Sequence, residues 1–182
     1  ATIRRDLHWL TRHIPDDAHA VAYDATESEA VFVIMGPQSR AFLQPLIPQS
    51  LANADFPFGS MQHIEIGYAV ARAHRVTYVG ELGWELYVRA DMAAHVFEVI
   101  SAHRQQHDLT FCGLHVLDSC RIEKAYRHFG HDISNEDHVL EAGLGFVVKE
   151  DKPVGKFGLM IGADAVRAKR NDGLTCRLLQ FR

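Results

Sequence analysis

The sequence has 182 residues, of which 47% are hydrophobic and 23% charged, so we expect a compact globular chain and not a disordered one. The formal net charge is -4 and no Lys/Arg cluster interleaves with aromatic residues, which argues against nucleic acid as a partner. Apolar runs such as residues 30–35 are far shorter than the ~20 residues that cross a bilayer, so no membrane partner is expected.

Cysteine and histidine usage argues against a metal site. Cys112, Cys120 and Cys176 are an odd number without a CxxC pair, which disfavours a disulfide framework and a thiolate zinc site. The sequence contains no HExxH motif, and the closest histidine pair, His128 and His131, lies beside turn-forming residues. We therefore predict no bound metal. A reducing cytoplasm is the expected compartment, since the polar residues near the amino end do not suit a secretory signal.

The first third of the chain reads as a helix followed by two strands. Helical spacing of apolar residues predicts a helix that ends at Pro15. We expect a strand at residues 18–23 and a second at residues 30–35, whose continuous apolar run is typical of a strand buried on both faces. Gly36-Pro37 then predicts the start of a helix.

The middle of the chain predicts a hairpin and a helix. Alternating apolar residues over 62–78 indicate one long strand, and a turn at 80–83 returns it as residues 84–88. Asp91 is the expected N-cap of the next helix, residues 93–100.

The last third should hold further helices and strands, in chain order a helix at 114–129 with a Glu123–Arg127 pair, a strand at 144–149, a helix at 163–169 and a strand at 174–181. Strands and helices that interleave around a central antiparallel hairpin favour an α+β fold of split β-α-β type over a doubly wound parallel sheet. Both ends of the sequence fall within predicted elements, so we expect an internal piece of a longer protein.

Glu85 is the residue whose surroundings point to chemistry. Alternation places Trp84 and Leu86 on one strand face and Glu85 and Tyr87 on the other. A carboxylate beside aromatic rings accepts two parallel hydrogen bonds, which suits a flat heterocycle that presents an N–H beside an NH₂, as a pterin does. Tyr78 would cover such a ring or bond to it. From the residues alone the alternative stays open that Glu85 is an exposed strand residue paired with a neighbouring arginine.

Several segments together resemble one known family. YVGELGWELY, residues 78–87, resembles the Y-T-G-E-x-G-aromatic-E stretch of the glycine-cleavage T-protein, or aminomethyltransferase, family. Further segments are similar to family segments and follow in the family's order, namely IMGPQSRAFLQPL at 34–46, DSCRIEKAYRHFGHDI at 118–133, LEAGLGFVVK at 140–149 and MIGADA at 160–165.

The resemblance implies a folate-binding aminomethyltransferase fold with ferredoxin-like units. In this family tetrahydrofolate accepts a one-carbon unit from an amine, such as dimethylglycine, sarcosine or a glycine-derived aminomethyl group. Glu85 falls on the family's pterin-binding glutamate, Tyr78 on a tyrosine of the same pocket and Tyr126 on another. At Leu117 the T-protein has an arginine, and this departure points to the branch fused to dimethylglycine and sarcosine dehydrogenases.

The same resemblance predicts how the chain is organised. Residues 1–150 would be the tetrahydrofolate-binding core, incomplete at its amino end, and residues 151–182 the start of a carboxyl-terminal barrel-type region. The family's catalytic aspartate precedes the shared segments, so no catalytic residue is assigned here. FAD would belong to a flavoprotein dehydrogenase domain outside this chain, since no GxGxxG is present. We expect this piece alone to be inactive.

Folate and an amine substrate are the implied small-molecule partners. We also expect the chain to self-associate through surfaces that the rest of the protein would cover. Two other functions stay open: a non-catalytic folate-binding or regulatory module, and a folate-dependent demethylase of a sulfonium substrate.

Overall fold

A computed structural model describes residues 2–104, 107–153, 158 and 160–181, and the chain divides into two compact units. The first unit comprises residues 1–77 and 81–111, and the second comprises residues 78–80 and 112–182. The α+β class is confirmed, because the first unit holds helices and a four-stranded antiparallel sheet.

The first unit contains the helices α1, Ile3–Arg12, α2, Ser39–Leu43, and α3, Ala93–His103, and the strands β1, Glu29–Met35, β2, Met61–Ile66, β3, Ala69–His74, and β4, Gly83–Arg89. The strand order is β1-β4-β3-β2, and each neighbouring pair is antiparallel. The connection through α2 therefore joins the two edge strands of the sheet, β1 and β2.

Strand β4 occupies the centre of the sheet and supplies the middle of the core. Its alternation is as predicted, with Trp84, Leu86 and Val88 fully buried on the face that α2 and α3 cover. Phe42 of α2 and Val96 of α3 belong to the same apolar cluster. Burial of each aliphatic side chain contributes roughly 1.5–3 kcal/mol, so this face fixes β4 and thereby the side chains on its other face.

Strand β1 lies where residues 30–35 predicted a strand, but the prediction that both faces are buried is wrong. Val31 and Val33 are 46% and 51% exposed. The reason is that helices cover only one face of the sheet, the face that carries Ile34 in β1. An apolar run of this length is compatible with an edge strand in a sheet that is covered on one side.

Residues 62–78 form a hairpin and not the single long strand predicted. Strand β2 ends at Ile66 and β3 begins at Ala69, since Gly67 has a φ of 58° and the chain reverses there. Tyr68 is 92% exposed at the turn. The inward residues of β3 are alanines, Ala71 among them. Because alanine is only weakly apolar, the alternation pattern did not show where β2 ends and β3 begins. The predicted pairing of this segment with β4 is confirmed.

Gly67→Ala should lower the free energy of unfolding more than the same change at Gly59, another glycine with a left-handed backbone. A Cβ at Gly67 would lie 2.3 Å from His95 Nε2, the atom that accepts the Tyr68 N–H at 2.9 Å, whereas Gly59, with a φ of 79°, has nothing within 4 Å. Left-handed backbone costs an alanine about 1–2 kcal/mol at either site. Losing the histidine bond should add about 1 kcal/mol at Gly67. Urea unfolding of both variants measures the difference, and equal losses would contradict the prediction.

The strands predicted at 18–23, 144–149 and 174–181 are wrong. Val21 and Tyr23 are 83% and 77% exposed in an irregular segment, Gly145–Val147 form a short 3₁₀ turn, and residues 174–181 are irregular. A strand needs a neighbouring strand to pair its N–H and C=O groups. Apolar composition without such a partner therefore predicted strands that do not form.

Two helix boundaries also differ from prediction. Asp91 is not the N-cap of α3, because it lies in the 3₁₀ turn Ala90–Met92 and its carboxylate is 2.7 Å from Arg89 Nη2. In the second unit α4 spans Leu114–Glu123, shorter than the predicted 114–129, and α5 spans Ala163–Asp172. Arg127 lies beyond the end of α4, so the helical i,i+4 geometry predicted for its pairing with Glu123 does not apply.

Candidate functional site

Glu85 lies on the sheet face that helices α2 and α3 do not cover. It sits in β4 between Val33 of β1 and His74 of β3, and it is half-buried. The Tyr87 hydroxyl donates to Glu85 Oε2 at 3.0 Å. A carboxylate offers about four acceptor positions, so this bond leaves acceptor capacity on both oxygens.

Tyr87 is the neighbour that holds the Glu85 carboxylate in place. Its ring packs against His74 with centroids 4.9 Å apart and lies below the Arg72 guanidinium at 5.5 Å. Burial, and then the bond to Glu85, raise the pKa of Tyr87, so the phenol keeps its proton and donates at neutral pH. Sequence reasoning placed Tyr87 on this face without a role. Its position two residues from Glu85 was the available signal.

Arg72 is the neighbouring arginine that could pair with Glu85, but it is engaged elsewhere. Arg72 Nη2 forms an ion pair with Glu29 Oε2 on the same sheet face. Within the described part of the chain the Glu85 carboxylate therefore accepts from a tyrosine, not from an arginine. A bidentate arginine would occupy the acceptor positions of the carboxylate. A carboxylate that accepts only from a neutral phenol keeps positions for a pair of donors from a ligand.

Tyr78 and Tyr126 lie together in the second unit. Their rings are stacked, with centroids 6.4 Å apart and an interplanar angle of 19°. The Tyr78 hydroxyl donates to the Arg127 carbonyl at 3.0 Å, and His128 meets the Tyr78 ring edge-on at 6.1 Å. Burial raises the pKa of Tyr78, which keeps the phenol protonated as a donor. Glu85 belongs to the first unit, so the predicted residues come from both units.

A buried arginine fixes the turn that carries Tyr126. The Arg121 side chain is 3% exposed, and its Nε donates to Asp118 Oδ1 at 2.9 Å. Its Nη1 donates to the Tyr126 carbonyl at 3.0 Å and forms an ion pair with Asp132. The His128 backbone N–H donates to the same carboxylate oxygen, Asp132 Oδ2, at 2.9 Å. Sequence analysis assigned no role to Arg121, although its i,i+3 spacing from Asp118 was visible.

Arg127 fixes the same turn from the other side. Its guanidinium donates to the carbonyls of Ala125, Ala142 and Leu178 at 2.6, 3.0 and 3.2 Å, and to Gln180 Oε1 at 3.0 Å. Ala125 has a φ of 58°, a left-handed conformation that ends α4 and costs a non-glycine residue about 1–2 kcal/mol. The two arginines together offset this strain and hold Tyr78 and Tyr126.

A cavity of about 510 Å³ opens in the second unit at a different place from the predicted site residues. Its charged lining includes Arg127, Glu141, Lys169, Arg170 and Arg177. Two of the four lining cations are paired with carboxylates, since Lys169 lies 2.7 Å from Glu141 and Arg170 2.5 Å from Glu150. Glu141, which pairs with Lys169 and accepts from Thr175, is therefore a structural anchor.

Glu141 should make the stability of the chain pH-dependent in acid. Hydrogen bonds from Lys169 and Thr175 lower its pKa from 4.5 to about 2. A carboxyl whose pKa is lower when folded stabilises the fold above its unfolded pKa, and that contribution is lost as pH falls from 4.5 towards 2. In Glu141→Gln the free energy of unfolding should thus fall less steeply as the pH is lowered. Urea midpoints of both proteins at intervals between about pH 6 and pH 2.5 test this, and parallel curves would disprove it.

Across the ranges 2–104, 107–153, 158 and 160–181, no group of His, Cys, Asp and Glu side chains converges to hold a metal ion. In those same ranges no helix is both long and apolar enough to cross a membrane.

The first unit thus defines a class, an α+β domain whose antiparallel sheet is covered by helices on one face and carries a tyrosine-bound carboxylate on the other. The family model described as the GCVT N-terminal domain matches residues 1–152. The chain belongs to this family, and the resemblance drawn from YVGELGWELY and its companion segments is confirmed.

The relatives of the chain include dehydrogenases and transferases. It is 37% identical over 158 residues to mitochondrial sarcosine dehydrogenase of Homo sapiens, an alignment that covers 87% of this chain and 17% of the relative. It is 33% identical over 179 residues to mitochondrial dimethylglycine dehydrogenase of Mus musculus, covering 96% and 20%. Aminomethyltransferase of Shouchella clausii is 30% identical over 179 residues, covering 98% and 47%. The chain therefore spans about a fifth of the dehydrogenases and about half of the transferase.

Proposed function

We propose that this chain is the tetrahydrofolate-binding part of an enzyme that transfers a one-carbon unit from an amine to folate. The observation that carries the proposal is the half-buried Glu85 carboxylate, held by Tyr87 on the open sheet face. Membership in the GCVT N-terminal domain family supports it. The names of the relatives favour an amine donor such as sarcosine, dimethylglycine or an aminomethyl group.

Glu85 fits the pterin edge by its chemistry. One oxygen of its carboxylate already accepts the Tyr87 hydroxyl, and the remaining acceptor positions suit an N–H beside an NH₂. Charge assistance makes such paired bonds shorter and stronger than neutral ones. In our proposal Tyr87 fixes the carboxylate before folate binds, so little rotamer entropy is lost on binding.

Tyr78 and Tyr126 are proposed as the other folate-binding residues. The Tyr78 ring is held through its hydroxyl, which donates to the Arg127 carbonyl. Arg121 binds the backbone carbonyl of Tyr126, and the Tyr126 ring stacks on Tyr78. Aromatic rings fixed in this way offer flat apolar surface at small entropic cost, which suits the ring systems of a folate. These assignments rest on the family motif and on the contacts within the second unit.

Tetrahydrofolate, when bound, supplies the nitrogen nucleophile that accepts the one-carbon unit. The task of the residues described here is to bind and orient the folate, and so to convert an encounter in solution into a reaction at fixed geometry. No catalytic residue is assigned within the chain. Both alternatives share the same folate-binding step: the sulfonium demethylase differs from the proposal in the donor, and the non-catalytic module differs in having no transfer step. The cytoplasmic location, the flavoprotein partner and self-association likewise stay predictions.

Calorimetric titration of tetrahydrofolate into the chain and into its Glu85→Gln variant tests the binding role. Saturable binding by the wild type that depends on Glu85 would support the proposal. No measurable binding by a folded wild-type chain would contradict it. Addition of sarcosine or dimethylglycine to the folate-loaded parent enzyme then separates an amine-dependent transferase from a non-catalytic module.

A further inference from the structure

Two arginines of the first unit converge on one neutral oxygen. Arg40 of α2 donates from Nη2 to Asn53 Oδ1 at 2.6 Å, and Arg75, directly after β3, donates from Nη2 to the same oxygen at 2.8 Å. The two Nη2 atoms can therefore be no further apart than the sum of these distances. Like charges at such separation repel each other unless an anion lies between or beside them.

The remaining partners of both guanidinium groups are also neutral. Arg40 Nε donates to the Leu51 carbonyl at 2.9 Å, and Arg75 Nη1 donates to the Phe56 carbonyl at 2.6 Å. Each guanidinium carries five N–H donors, and these contacts use only two on each. Burial and the neighbouring charge of Arg40 lower the pKa of Arg75. In the described part of the chain, the acceptors that bind the two guanidinium groups are thus uncharged oxygens.

Both arginines are partly buried and packed against the core, whereas Asn53 is exposed. Both guanidinium groups lie over the buried Trp84 ring, each 5.8 Å from its centroid. Arg75 Nε is itself buried and has no hydrogen-bond partner among the described residues. Backbone bonds between Arg75 and Ser60 and between Gly59 and Arg75 extend the ladder beside it. The cations are held in place before any anion arrives, which lowers the entropic cost of binding one.

We propose that Arg40, Asn53 and Arg75 form a binding site for a small oxyanion, a phosphate or carboxylate group. Two guanidinium groups match the charge of a phosphate dianion, whereas a carboxylate would neutralise one of them. Their spare N–H donors supply hydrogen bonds to either group. The site is separate from the proposed role of Glu85, since it lies on the α2-covered side of β4, where Trp84 points. Its success or failure leaves the folate proposal unaffected.

Asn53→Asp is the decisive variant. It places a carboxylate where the amide oxygen accepts from both arginines, so the site gains an internal counter-ion while side-chain size is kept. We expect inorganic phosphate to bind the wild-type chain by calorimetry and Asn53→Asp to weaken that binding at least about ten-fold. The variant itself should unfold at a higher temperature than the wild type in chloride, which would show that it still folds.

Arg89→Gln serves as the matched control, because Arg89 is an exposed arginine already paired with Asp91. It removes one positive charge and should leave phosphate affinity unchanged. Glutarate at matched ionic strength distinguishes the two sources of oxyanion: preference for phosphate assigns a phosphoryl group, and preference for glutarate a carboxylate. Absence of saturable binding by either anion would overturn the proposal, as would equal phosphate affinity in the wild type and in Asn53→Asp.

Discussion

Glu85→Gln should weaken tetrahydrofolate binding about ten-fold to a hundred-fold. The amide keeps the size of the carboxylate but turns one acceptor into a donor, which then faces a pterin donor. A polar group left unpaired in a binding site costs ~1–3 kcal/mol, and this corresponds to the expected loss of affinity. The free energy of unfolding of the ligand-free chain should hardly change, because the remaining amide oxygen still accepts the Tyr87 hydroxyl.

Glu65→Gln is the matched control for this experiment. Glu65 lies in β2 on the same sheet face as Glu85, is exposed, and loses the same charge on substitution. Calorimetry should therefore give wild-type affinity for Glu65→Gln and weak binding for Glu85→Gln. Urea unfolding should place both variants within about 0.5 kcal/mol of the wild type. Equal folate affinity in all three proteins would return Glu85 to the role of an exposed strand residue.

The sequence predicted the parts of the fold whose pattern is local. The faces of β4 were correct because side chains alternate with a period of two regardless of what the strand pairs with. The helices α1, α2, α3 and α5 were anticipated from apolar spacing and from Gly36-Pro37. The hairpin turn at Gly67 was missed, since the inward face of β3 is made by alanines that carry little apolar signal.

The features of the fold and of the candidate site that were not predicted depend on residues that are distant in sequence. Whether residues 18–23 form a strand depends on a neighbouring strand, and no local pattern reveals that it is missing. For the candidate site, Glu85, Tyr78 and Tyr126 followed from the family motif, whereas Tyr87 as the partner of Glu85 required the structure. The division of the chain near residue 111 was likewise not visible in composition, and the assignment of 1–150 and 151–182 to separate regions stays a prediction.

Arg121→Met should destabilise the chain by about 3 kcal/mol. Methionine fills much of the arginine volume, but it leaves Asp118 and Asp132 without their common cation and the Tyr126 carbonyl without its donor. Breaking a buried ion pair by removing one partner typically costs 3–5 kcal/mol. The lower end applies here because both carboxylates are partly exposed, 33% and 24%, and water offsets part of the loss. Urea unfolding measures the change.

Arg167→Gln controls for the loss of an arginine at the surface. Arg167 contacts Asp151 and Asp164, which are 86% and 98% exposed, so its removal should cost under about 1 kcal/mol. If Arg121→Met were no worse than this control, the network would not be holding the turn that carries Tyr126.

Lowering the pH should reduce the difference in unfolding free energy between the wild type and Arg121→Met. The hydrogen bond from Arg121 lowers the pKa of Asp118, and although burial opposes it, bonds from the His128 N–H and from Arg121 lower the pKa of Asp132. Carboxyls with lowered folded pKa values stabilise the wild type above their unfolded value of 3.8, and this contribution fades as pH falls through and below it. In the variant that contribution is already reduced. A gap that stayed constant from about pH 6 to pH 3 would mean that Arg121 acts through packing and not through its charge.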